Sequence, residues 1–130
     1  MTPSERAEIA RAITNAEAGT SGWIAVRVIP DGSVDAFEHA QREFERIGLG
    51  RHEHRNAALI LVAPKARQFA VLGDRDLHER VGDAFWNEVV AESRPHFARG
   101  DVFEGIVCAV GRVGDALHTH FAEPPEGVRA

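Results

Sequence analysis

Residues 57 to 63 read Ala-Ala-Leu-Ile-Leu-Val-Ala, an apolar run with no polar residue in alternation. A strand with one wet face alternates apolar and polar side chains, so an unbroken run of this length belongs to a strand covered on both faces. It is far shorter than the roughly 20 residues a membrane helix needs. Any fold open to this chain therefore builds a sheet around residues 57–63 and lays helices on both sides of it.

The flanking residues say how. Trp23 to Ile29 is a β-rich segment closed by the turn Pro30-Asp31-Gly32-Ser33. From Asp35 a helical stripe of Phe37, Ala40, Phe44 and Ile47 runs to Gly48. Strand, helix and the central strand make a βαβ unit, which sets the two strands parallel. After the central strand only Pro64-Lys65-Ala66-Arg67 intervenes, too short for a parallel return, so Gln68 to Leu72 folds back antiparallel. The sheet is expected to be small and mixed.

The remainder is helical. Thr2-Pro3-Ser4-Glu5 spells a capping box with proline at the first helical position, and Ile9, Ala12, Ile13 and Ala16 continue it to about Glu17. A short helical segment spans Asp76 to Val81, and a helix opened by Asp83 carries Phe85, Trp86, Val89 and Val90, with Pro95 expected to bend it near its end. Asp101-Val102-Phe103-Glu104 is a second capping box, followed by the stripe Val102, Ile106, Val110, Val113, Leu117 and Phe121. The expectation is one domain over residues 1–122 and a frayed tail over 123–130, Glu-Pro-Pro-Glu-Gly-Val-Arg-Ala.

Charge and targeting signals remove several function classes. The net charge is −5, and 15 basic residues lie scattered among 20 acidic ones, so no phosphate-backbone footprint is present and nucleic acid is not an expected partner. The N-terminus lacks a basic stretch followed by an apolar one, which disfavours secretion, and the single cysteine, Cys108, fits a reducing compartment. A cytoplasmic protein is expected. Cys108 lies mid-helix among apolar neighbours and reads as a buried, inert thiol.

Several strings resemble the TPM domain family: Glu17-Ala18-Gly19-Thr20-Ser21-Gly22, Arg55-Asn56 leading into the central strand, Phe69-Ala70-Val71-Leu72-Gly73-Asp74, Val81-Gly82-Asp83-Ala84-Phe85-Trp86, and His96-Phe97-Ala98-Arg99-Gly100-Asp101 before Glu104-Gly105-Ile106. They occur in the family's order over nearly the whole chain. The resemblance implies a three-layer α/β/α sandwich, in agreement with the layers above. For function it implies a spread: acid phosphatase or nucleotide phosphohydrolase, calcium-binding domain, photosystem-repair factor, or chaperone-like protein. Where short members place Glu after Thr-Ser-Gly, this chain has Trp23.

The candidate working surface is the acidic turn Gly73-Asp74-Arg75-Asp76 at the end of the third strand. Asp74 and Asp76, with Asp83 nearby, offer hard oxygen donors suited to Ca²⁺ or Mg²⁺, and Arg55 or Arg75 could meet a phosphate oxygen. The competing account is local: each aspartate caps a turn or helix, and each arginine pairs with a neighbouring carboxylate. The spacing does not make an EF-hand, whose sixth and twelfth positions would fall on Glu79 and Phe85. His52 and His54, and His118 and His120, lack the spacing of a shared helical metal face, and the second pair suits a helix C-terminus. Two readings remain open. One is a protein-interaction or holdase-like module that captures a partner or client through Trp23 and assembles as a homo-oligomer. The other is a metal-dependent phosphohydrolase acting on a small phosphorylated substrate.

Overall fold

A computed structural model describes residues 1–123. Its elements in chain order are α1 (Pro3–Glu17), β1 (Trp23–Val28), α2 (Ala36–Arg46), a short 3₁₀ turn (Leu49–Arg51), β2 (Ala57–Ala63), β3 (Gln68–Gly73), α3 (Arg75–Ala98) and α4 (Val102–His120). The three strands lie in the order β1-β2-β3. β1 runs parallel to β2 with Trp23 beside Ala57, and β3 runs antiparallel to β2 with Gly73 opposite Ala58. The mixed sheet expected from the two connection lengths is present.

Every residue of β2 is buried. Ala58, Ile60 and Val62 join Ile106, Val110, Val113 and Leu117 of α4 in the larger core, together with residues of α1 and α3. Ala57, Leu59 and Leu61 face the other way, against Ala36 and Ala40 of α2. The central strand thus separates two cores, and the molecule is a three-layer α/β/α sandwich. Burying a leucine or isoleucine fully contributes about 1.5–3 kcal/mol, so the run at 57–63 supplies stability to both layers.

The capping box at Thr2 forms as expected, with Glu5 reaching back to the Thr2 N–H at 3.0 Å. As expected, the stretch Arg75–Ala98 is two helical segments that meet at a kink: Gly82, with φ 75° and ψ 172°, is not helical and separates the short first segment from the longer second one. Pro95 lies near the end of the helix, in its last turn, and the helix continues to Ala98. Proline costs least where few ladder bonds remain to be lost. Cys108 is partly exposed on α4 rather than buried.

The last described residues are tied down: Ser21 N–H donates to the Phe121 carbonyl at 3.0 Å and Glu123 N–H to the Gly19 carbonyl at 2.7 Å. Residues 124–130, most of the expected tail, lie outside the described residues. Among the described residues no helix is long and apolar enough to cross a membrane.

Candidate functional site

β1 and β2 begin, and β3 ends, at one end of the sheet, which gathers the residues singled out in the sequence. Arg55 and Asp74 are 19 positions apart, yet Arg55 Nε and Nη2 donate to the two Asp74 carboxylate oxygens at 2.7 and 2.9 Å. The register explains the meeting. Asp74 N–H donates to the Ala57 carbonyl at 2.8 Å, extending the β2–β3 ladder by one pair and placing Asp74 beside the residues that lead into β2.

Arg55 adopts a left-handed backbone, φ 49°, uncommon for a residue with a side chain. That conformation aims its carbonyl at the start of α3, where it accepts from the Asp76 and Leu77 N–H groups at 3.0 and 3.3 Å. Asp74 caps the same helix, accepting from the Arg75 N–H at 2.8 Å. One residue pair therefore satisfies several of the donors that a helix N-terminus leaves open.

Asp74 is 6% exposed. Burial pushes its carboxyl up, but hydrogen bonds from Arg55 and from the Arg75 N–H, with the charges of both arginines, outweigh burial and hold it below the ordinary 3.8. The hydrogen bonds to Asp74 and the negative charges of Asp74 and Asp76 raise Arg55 further above its already high range. A carboxyl depressed by folding adds stability that is fully present above 3.8 and is lost as pH falls through the lower folded-state value. Urea unfolding from roughly pH 6 to roughly pH 2 is therefore expected to show stability dropping below about pH 4, with a shallower drop in Asp74→Ala. Parallel profiles for the two proteins would contradict the pairing.

The other predicted site residues are placed apart from this pair. Asp76 accepts from Arg75 Nε at 2.9 Å on the surface. Asp83, 88% exposed, faces His78 Nε2 at 3.4 Å. Both arginines assigned to phosphate thus have carboxylate partners within the chain, as the local account held. Among the described residues no group of three His, Cys, Asp or Glu side chains converges as a cation cage. As arranged, both oxygens of Asp74 accept from protein donors, Oδ2 from Arg55 and Oδ1 from Arg55 and the Arg75 N–H.

Trp23 is the conspicuous apolar group at this end. It is 51% exposed and stacks on His52, with ring centroids 4.5 Å apart and planes at 14°. Its position at the first residue of β1 and the loop carrying His52 fix the two rings side by side.

Three further contacts were not visible in the sequence. Asn56 is fully buried, its Nδ2 donates to Ser21 Oγ at 2.8 Å, and its Oδ1 has no protein partner. Trp86 Nε1 donates to His78 Nδ1 at 3.0 Å, which leaves His78 Nε2 toward Asp83. The Trp86 ring also fills the space over Gly73, where an added Cβ would lie 2.3 Å from Cζ2. Ser21, Asn56 and Gly73 did lie in the strings that carried the family resemblance, the one available signal for them.

Residues 1–116 match a family model described as the TPM domain. Among solved structures, the chain is similar to the BA42 protein from the psychrophilic bacterium Bizionia argentinensis, with 28% identity and a TM-score of 0.88 over 98% of this chain and 88% of that one. It also shares its fold with the N-terminal domain of a protein from P. gingivalis, at 16% identity and a TM-score of 0.79 over 93% and 78% of the two chains. The N-terminal domain of the cg2496 protein from Corynebacterium glutamicum gives 16% identity and a TM-score of 0.72 over 100% and 84%. No curated protein matches the chain.

Proposed function

The chain belongs to the TPM domain family, and on that footing we propose that it is a non-catalytic protein-binding domain with holdase-like character, using the Trp23 end of the sheet to contact its partner. The observation that carries this reading is the half-exposed Trp23–His52 stack beside an ion pair already committed to structure. Tryptophan is prominent among the residues that dominate binding energy, because a rigid ring exposes much apolar area at little entropic cost. Hydrolysis, by contrast, needs donors and nucleophiles free to meet a substrate. Here Arg55, Asp74, Arg75 and Asp76 meet one another.

The test is protection of a thermolabile client enzyme from aggregation at equal molar ratio. The parent chain is expected to suppress light scattering, and Trp23→Ala to lose most of that effect. Because Trp23 is surface-exposed, Trp23→Ala is expected to change unfolding free energy by no more than about 0.5 kcal/mol. Equal protection by parent and variant, or none by either, refutes the assignment. A parallel arm measures phosphate release from a generic phosphate ester with Ca²⁺ or Mg²⁺ added. Chelator-sensitive release abolished in Asp74→Asn would favour the phosphohydrolase instead.

A further inference from the structure

The two outer edges of the sheet are finished differently. Along β1, Ile29 N–H donates to the Val62 carbonyl at 2.9 Å, so by alternation the main-chain groups of Ile24, Val26 and Val28 point away from β2. Side chains occupy part of that edge. Glu17 Oε2 accepts from the Ile24 N–H at 2.7 Å, and Arg27 Nη1 donates to the Val26 carbonyl at 2.9 Å.

Along β3 the parity is set by Asp74 N–H donating to Ala57, so Phe69, Val71 and Gly73 turn their main-chain groups outward. Among the described residues, no main-chain or side-chain hydrogen bond engages these groups. An edge strand with a free row of N–H and C=O groups is a template for another strand.

A cleft of about 900 Å³ opens where β3 begins, between the α2 side and the α3 side of the sheet. Phe37, Phe69 and Phe97 give it an apolar lining, with Phe37 54% exposed and the Phe69 and Phe97 rings tilted against each other at 41°, centroids 4.5 Å apart. Three arginines border it: Arg67 from the β2–β3 turn, and Arg94 and Arg99 from the end of α3. All three are exposed, and none takes part in an ion pair among the described residues. The one carboxylate in the lining, Asp35, spends an oxygen on the Glu38 N–H as the cap of α2. This is a local positive field on a chain of net charge −5.

We propose that the β3 edge and this cleft receive an extended acidic peptide segment, which pairs with Phe69 and Val71 as a fourth strand and sets its carboxylates against Arg67, Arg94 and Arg99. The main-chain ladder supplies affinity without regard to sequence. The arginines and the aromatic lining select for acid residues interspersed with apolar ones. This surface lies across the sheet from Trp23, so it is a second site and stands or falls separately from the function proposed above.

The test starts from a displayed library of random twelve-residue peptides selected on the folded chain, with selection on Arg94→Glu/Arg99→Glu in parallel. Enriched peptides are expected to be acidic and to lose at least about tenfold in affinity for the charge-reversed variant, while binding Trp23→Ala unchanged. On binding, the Phe69 and Val71 amides are expected to become protected from hydrogen exchange. N-methylation of alternate amides in the best peptide, which leaves the protein untouched, is expected to abolish binding. The proposal is overturned by enrichment of neutral or basic peptides, by no enrichment over the charge-reversed bait, or by binding that leaves those two amides unprotected. It is also overturned if the chain sediments as a dimer with those amides already protected, since a second copy would then hold the edge.

Discussion

Asp74→Ala is expected to lower the free energy of unfolding by about 2 kcal/mol, read from urea denaturation near neutral pH. Two losses combine. The cap on α3 goes with the bond from the Arg75 N–H, a loss of about 1 kcal/mol. The paired hydrogen bonds from Arg55 go as well. Because the Arg55 side chain is 35% exposed, water takes up part of what Asp74 gave it, so the total stays below the 3–5 kcal/mol of breaking a fully buried pair. Asp74→Asn keeps an oxygen for the cap and should lose less. Arg55→Ala combined with Asp74→Ala is expected to cost less than the two single changes added together. An Asp74→Ala chain as stable as its parent would sink the view of this pair as a lock between β2 and α3, and would return the carboxylate to the pool of free metal donors.

Gly114→Leu is expected to cost about 3 kcal/mol, through overpacking where α4 crosses α1. A Cβ at Gly114 would lie 2.7 Å from Ala16 Cβ and 3.2 Å from Ala16 Cα. Neither atom can swing aside, since an alanine Cβ is as fixed to the main chain as its Cα, so the helices themselves must move apart. Gly114→Ala should cost less, because it adds only the Cβ and none of the atoms beyond it, while the gain in helix propensity, about 1 kcal/mol, offsets part of the clash. Gly111 supplies the internal control. It lies on the same helix with nothing within 4 Å of an added Cβ, so Gly111→Leu should be neutral or slightly stabilising. If the two leucine substitutions had equal effects, the close approach of α1 and α4 would not be the cause.

The parts of this fold that were legible in the sequence are those set by local chemistry. The run at residues 57–63 announced a strand covered on both faces because no partner is needed to see that it has no polar side. The four residues after it ruled out a parallel return, and Thr2 with Glu5 fixed the start of α1. That Arg55 could pair with a carboxylate was one of two readings open in the sequence, but its partner Asp74, 19 positions away, was set by the β2–β3 register. Other features required register. Stacking of Trp23 on His52 depends on where β1 begins relative to a loop 29 residues later, and the link from Asn56 to Ser21 spans 35 positions. Arg67, Arg94 and Arg99 do not form a cluster in sequence; only the β2–β3 turn and the end of α3 bring them to one cleft. The division at Gly82 was legible too, because a glycine followed by the helix-capping residue Asp83 marks a break, and the backbone there leaves the helical region.

The unequal finish of the two sheet edges also limits what copies of this chain can build. A filament assembled by strand pairing needs every subunit to offer a template on both sides. Here Glu17 and Arg27 stand in the way on one side, so edge-to-edge growth from β3 meets an obstructed face after one addition. Substituting Glu17 and Arg27 together would remove that stop, and the first sign would be assemblies larger than two rather than any loss of folded structure.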